Sequence, residues 1–178
     1  MTTELPGLSP KVSVDITQRQ PSNTNYIQNT GFFFGIQRLP SVQFFCQEVN
    51  LPGMQFGEII QPTRFVNVKH PTSKMTFESL DVSFIVDEDL ANWREVYDWM
   101  RSIVNIEDAT EQVSPADHYS DATLILLNSA MRENVRVKFK QCFPTNLSGL
   151  RFLTTPAETE PQTATMTLTF DSYEIEKV

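Results

Sequence analysis

Between Leu80 and Val104 the apolar residues change period, and that switch constrains the fold more than any other feature of the chain. Leu80, Val82, Phe84 and Val86 alternate with Asp81 and Ser83, the pattern of a strand with one buried face. Leu90, Trp93, Val96, Tyr97, Met100, Ile103 and Val104 then recur at helical spacing, an apolar stripe along a helix expected over residues 88–104. Asp87 stands where it can cap that helix. Glu88 and Asp89 fall in its expected first turn, where negative charge meets the positive helix end. Beside aliphatic residues at this spacing, Trp93, Tyr97 and Met100 read as core rather than as a binding face.

Everything around this junction reads as β. Residues 123–127 form an apolar run, and Val135, Val137, Phe139 and Phe143 follow at two-residue spacings, which puts Cys142 on the polar phase. Pro144-Thr145-Asn146 and Ser148-Gly149 mark a turn, Leu150-Arg151-Phe152 a short strand, and Pro156 and Pro161 bound a loop. Met166, Leu168 and Phe170 alternate with threonines, then Tyr173 and Ile175 continue after a one-residue slip that a bulge would absorb. Upstream, 32–36 and 42–49 flank Leu39-Pro40-Ser41, which predicts an early hairpin. Residues 51–74 contain Gly57, Pro62 and Pro71 with little periodicity and read as a long loop or edge hairpin, a common place for function. Residues 1–24, with Pro6, Pro10 and Pro21, read as an extended arm, leaving 25–178 as a single domain.

With 178 residues the chain has about one domain's worth of sequence and can bury ~70% of its unfolded surface without a disulfide or metal. Many strands and one main helix predict a mainly β protein, an antiparallel sandwich or barrel carrying a helix. Met1 to Gln20 lacks a basic-then-apolar leader, and no apolar run approaches the ~20 residues that span a bilayer, so neither secretion nor membrane spanning is expected. Cys46 and Cys142 are too few and too isolated for a disulfide scaffold or a C-x-x-C site, which fits a reducing cytoplasm.

The charge is unevenly placed. Ten acids and two bases between Asp87 and Asp121 account for the whole formal charge of −8, while Arg132 to Arg151 holds five bases and one acid. These are either solvated faces or surfaces that meet between subunits. The overall charge argues against nucleic-acid coating. Chemistry is poorly supplied: His70 and His118 form no H-x-x-x-H pair, and the six glycines form neither a P-loop nor a dinucleotide fingerprint. No catalytic site and no cofactor are therefore expected. A small acidic hydrolase using Asp87 and Asp89 with a metal is the remote enzymatic alternative, although Asp87-Glu88-Asp89 lacks the glycine of a calcium loop.

Surface apolar residues are more informative. Three successive aromatics on a strand, Phe32, Phe33 and Phe34, must point to both faces. Either the subunit covers both faces or a neighbour covers one. Together with Leu51, Pro52, Phe56, Pro62 and Phe65 from the irregular segment, they are the candidate inter-subunit contacts.

Phe84-Ile85-Val86-Asp87-Glu88-Asp89-Leu90, leading into Trp93-Arg94-Glu95-Val96-Tyr97-Asp98-Trp99-Met100, resembles the tail-tube superfamily of contractile-tailed bacteriophages, within it the tail-terminator or tube-completion group. Leu51-Pro52-Gly53, Pro62-Thr63-Arg64-Phe65, Phe77-Glu78-Ser79-Leu80 and Tyr173 to Lys177 extend the likeness over about residues 42–178. Phe143 to Asn146 with the following Gly149 looks nearer to the repeating tube subunit, so that role and a baseplate-proximal initiator stand as alternatives. The resemblance implies a β-barrel or sandwich with a flanking helix, in which Phe84, Val86, Asp87, Leu90, Trp93, Tyr97 and Met100 form the strand-to-helix core. It also implies six copies in a ring around a channel that closes the head-proximal end of a tail tube. The implied partners are the tube protein, sheath-terminator and neck proteins, and possible contact with tape-measure protein and DNA in the lumen. The implied location is the virion, after synthesis in the host cytoplasm.

Overall fold

The computed structural model describes residues 24–27, 29–104, 118–154 and 161–178; the amino-terminal arm, most of the acidic connection and Pro156 lie outside them. The chain order is β1 (Phe32–Ile36), α1 (Pro40–Phe45), β2 (Cys46–Val49), β3 (Met54–Pro62), β4 (Asn67–Phe77), β5 (Leu80–Ile85), α2 (Ala91–Ile103), β6 (Ser120–Leu127), β7 (Glu133–Leu147), β8 (Thr163–Thr169) and β9 (Ser172–Lys177). The mainly β, antiparallel class expected from the sequence is the one observed. Seven strands form one sheet system in the order β1-β6-β7-β8-β5-β2, with β9 beside β7, while β3 and β4 pair only with each other. No helix among the described residues is long and apolar enough to cross a membrane.

β7 joins the two halves of that system. Its first part pairs with β6 on one side and β9 on the other, and its last part pairs with β8. The change of partner coincides with Gln141, whose φ of 55° is left-handed, and with a register shift in which Ser120 faces Cys142 but Ala122 faces Phe139. The Gln141 N–H donates to the Asp121 carboxylate at 3.1 Å, which stabilises the kink. One extra residue moves the inward phase from Val137 and Phe139 to Cys142 and Pro144. The expectation for Cys142 is thereby corrected: it is fully buried, and burial pushes its thiol up to about 12. Burial likewise holds the Cys46 thiol at about 11, so neither sulfur carries the thiolate that reactivity needs.

The core lies between the two halves. Phe34, Ile36, Ala122, Leu124, Val137 and Phe139 face Leu80, Val82, Phe84, Ala164, Met166 and Leu168, and Leu39, Val42, Val96 and Trp99 join the same cluster from the helices. Four further expectations are corrected. Residues 40–45 are helical rather than the second arm of a hairpin, because Pro40 presets the first helical φ and the turn buries Val42; β1 pairs with β6 and β2 with β5. Pro144 to Asn146 continue β7 instead of turning, since that part of β7 pairs only with β8 and tolerates proline on its other side. Residues 150–152 form no strand. Tyr173 and Ile175 belong to a separate strand, β9, which follows a corner at Phe170-Asp171, where the Asp171 N–H bonds to the Lys140 carbonyl at 3.1 Å.

At the β5–α2 junction Asn92 organises what Asp87 was expected to cap. Fully buried, it donates to the Ile85 carbonyl at 2.7 Å and accepts from the N–H groups of Asp87 and Trp93 at 3.2 and 2.8 Å. The helix starts at Ala91 behind Leu90, which has a φ of 57°, so Glu88 and Asp89 precede the first turn. Of the expected stripe Val96 is fully buried and Trp93, Met100 and Ile103 pack against the core, while Asn92 and Trp99, outside that stripe, are the other buried residues. Trp99 donates its ring N–H to the His118 carbonyl at 3.1 Å beneath the Arg38 guanidinium.

Two substitutions test these constraints in urea unfolding. Asn92→Ala orphans buried groups of Ile85 and Asp87 and should cost about 2–3 kcal/mol. Gln141→Gly should be neutral or stabilising by up to about 1 kcal/mol, whereas Gln141→Val, which cannot adopt the left-handed φ without strain, should lose about 1–2 kcal/mol.

Candidate assembly interface

Glu78 leaves β4 beside Gly53 at the start of β3, and this contact sets the root of a long two-stranded hairpin. Glu78 N–H bonds to the Gly53 carbonyl at 3.0 Å, and its carboxylate accepts from Gly53 N–H at 3.3 Å and the Gln55 amide at 3.2 Å. The Tyr173 hydroxyl donates to the Pro52 carbonyl at 3.3 Å, and Phe77 packs its ring 5.5 Å from Phe170 and 5.4 Å from Tyr173. The hairpin is thus fastened at one end to the aromatic edge of the core, which also contains Phe139.

The hairpin pairs with no other strand among the described residues. Its mid-point holds a bulge in β4 at residues 72–74 opposite Gly57, where a side-chain carbon would lie 2.9 Å from the Thr72 hydroxyl. Further out, Lys69 pairs with Glu58 at 2.9 Å and His70 shares a hydrogen bond with Gln61 at 3.1 Å. The Thr63 side chain closes the tip by accepting from Val66 N–H at 3.2 Å. Met54, Phe56, Ile59, Ile60, Phe65 and Val66 are exposed, with Phe65 at 93%. An isolated hairpin is marginal in water, and exposed apolar surface on this scale marks an interface.

The expected contact residues divide in the structure. Phe56, Pro62 and Phe65 lie on the hairpin and are exposed, as is Leu51 before it. Pro52 is buried and belongs to the root, which corrects its assignment as a surface contact. On β1, Phe34 enters the core and Phe32 packs against it, so only Phe33 of the three is fully presented, at 63% exposure. β1 and β2 are the two free ends of the main sheet order, and both line a groove where Ile27, Leu51, Leu124 and Leu126 lie beside the polar Asn29, Gln47 and Glu48. A neighbouring hollow is lined by Phe33, Pro40, Phe44 and Cys46. Sequence reasoning missed Ile59, Ile60 and Phe44; the signal available was apolar residues within a stretch that shows no core periodicity.

The strand-to-helix residues also divide. Phe84 is fully buried, and Val86, Trp93 and Met100 pack against the core. Leu90 and Tyr97 are 38% and 43% exposed, which corrects their place in the core motif. Tyr97 stacks on Trp93 with ring centres 5.6 Å apart, beside Met100, Arg101, Val104, Asn146 and Leu147. The Asp87 carboxylate accepts from Glu88 N–H at 2.9 Å. Among the described residues no three His, Cys, Asp or Glu side chains are grouped to hold a metal ion.

Comparison with known proteins matches this architecture. The model of the phage tail tube protein family covers residues 9–176. The tail tube terminator protein of Enterobacteria phage T4 is 24% identical over 163 residues, 86% of this chain and 90% of that protein. Among solved structures, the tube-terminating cap of the anti-feeding prophage aligns with a TM-score of 0.62 at 18% identity, over 93% of this chain and 100% of the cap. The sheath/tube terminator of the extracellular contractile injection system PVC also gives 0.62 at 18% identity, over 86% and 99% of the two chains. A fold built on one shared bent strand, an outlying apolar hairpin and a family match over almost its whole length place the chain in the phage tail tube protein family.

Proposed function

We propose that the chain is a tail tube terminator, a structural virion protein whose copies form a ring closing the head-proximal end of the tube. The observation that carries the assembly reading is the β3–β4 hairpin, which exposes apolar residues on a body that leaves β1 and β2 as free strand ends. Burying such a surface on another copy supplies hydrophobic association, and the free ends supply hydrogen-bonding groups for strand addition. A repeated contact of this head-to-tail kind closes into a ring when its rotation fits. The terminator role is supported by likeness to the T4 tail tube terminator along most of both chains. Partners on this reading are six copies in the ring, the last tube ring, the sheath terminator and neck proteins, with tape-measure protein and DNA in the lumen. The protein is made in the host cytoplasm and resides in the phage tail.

A second reading is the repeating tube subunit, favoured by a TM-score of 0.60 at 17% identity to a chain of the PVC sheath–tube complex. Copy number separates the two. Quantitative mass spectrometry of purified particles should give about six copies per particle for one closing ring. Roughly a hundred or more would make it the repeating subunit, and absence from the particle would overturn both. The hairpin has its own test: F65D/V66D changes exposed side chains only and should leave monomer stability within about 0.5 kcal/mol while abolishing rings in electron micrographs. Rings formed normally by that variant would remove the hairpin from the interface.

A further inference from the structure

Val137 and Phe139 point into the core, so Arg136, Lys138 and Lys140 share the outward face of β7. Their two-residue spacing is about 6.8 Å per step, comparable to the separation of neighbouring phosphates along one DNA strand, so successive cations match successive phosphates of a strand lying along β7. Each cation is nevertheless occupied. Lys138 pairs with Glu176 at 2.8 Å and Lys140 with Glu174 at 2.5 Å, both across to β9, while Arg136 pairs with Glu133 at 2.8 Å. The charged groups stay accessible to water, with side-chain exposures from 35% to 57%. On the other flank, β6 sets Thr123 opposite Lys138 and Ile125 opposite Arg136, and neither carries charge. Asp121, the nearby acid of β6, accepts from Gln141 N–H.

We propose that the outward face of β7 is a phosphate-backbone binding strip kept silent by Glu174 and Glu176 of β9 and by Glu133 of β7 itself. Three glutamates neutralise three cations, so a nucleic acid must displace carboxylates already in place before it gains a phosphate contact. The hydrogen bond and charge of Lys140 hold the Glu174 carboxyl below its ordinary range, which keeps that member of the mask ionised. Such a face suits a protein that DNA must pass without being held. That physiological meaning rests on the ring reading above, whereas the masking is a property of one chain and is testable without particles.

The test measures binding of the purified full-length protein to a fluorescent duplex of about 30 base pairs by anisotropy, at low and moderate salt. E174Q/E176Q should bind at least about tenfold tighter than wild type at low salt. The logarithmic salt slope should approach about −1.8, the value for two phosphates, because Arg136 keeps its pair with Glu133. K138Q/K140Q in the same background should erase the gain. E88Q/D89N changes net charge equally at exposed sites away from the strip and should give none. The proposal is overturned if E174Q/E176Q binds no tighter than wild type, if the gain survives loss of the lysines, or if the remote pair reproduces it. Thermal melts verify folding, and E176Q alone, expected to give a smaller gain through Lys138, provides the readout should the double variant melt early.

Discussion

β7 carries a geometric obligation that the rest of the molecule depends on. A fifteen-residue strand serves both halves of the sheet system only by bending between them, and the bend falls at the left-handed Gln141. The strain of a non-glycine residue there is modest, and the hydrogen bond from its N–H to Asp121 offsets part of it. What the bend produces is larger: Phe139 can meet Phe170 and Tyr173 on one side while Cys142 and Pro144 face the interior on the other. Without the phase change, a strand buried on one face in its first half would turn that face outward in its second.

The same corner connects the core to the hairpin. Phe170 and Tyr173 lie where β8 gives way to β9, and both rings hold Phe77 at the end of β4. Aromatic packing of this kind gives a fixed exit direction as well as buried area. The hairpin therefore leaves the body at a set angle although its strands pair only with each other. Interface strength then depends on the exposed residues of the hairpin, and interface geometry on a few aromatic rings inside the subunit.

Most of the fold was legible because burial on one face imposes a period. The switch between Leu80 and Val104 located β5 and α2, and the alternations in β6, β7 and β8 located the main sheet. The failures have physical causes. Tyr97 matches helical spacing as well as Trp99 does, and only the position of the sheet decides which of them faces inward. Asp87 is a good capping residue by type, but Asn92 can both donate and accept inside a buried turn, which a carboxylate cannot do. The phase change in β7 depends on one dihedral angle that leaves no compositional mark. Within the site, proline and missing periodicity located the exposed segment, but its strand pairing was invisible because neither face of the hairpin is buried by its own chain.

That hairpin has a consequence for how such a chain can change over time. Its outer residues contribute nothing to the core, so substitutions there are filtered by the fit to another surface and scarcely by folding. The root is filtered by both, because Pro52, Phe77 and Tyr173 are at once core residues and the mount of the contact. Two lineages can therefore diverge in what they assemble with while their bodies remain superimposable, and the record of that divergence is concentrated between Met54 and Met75.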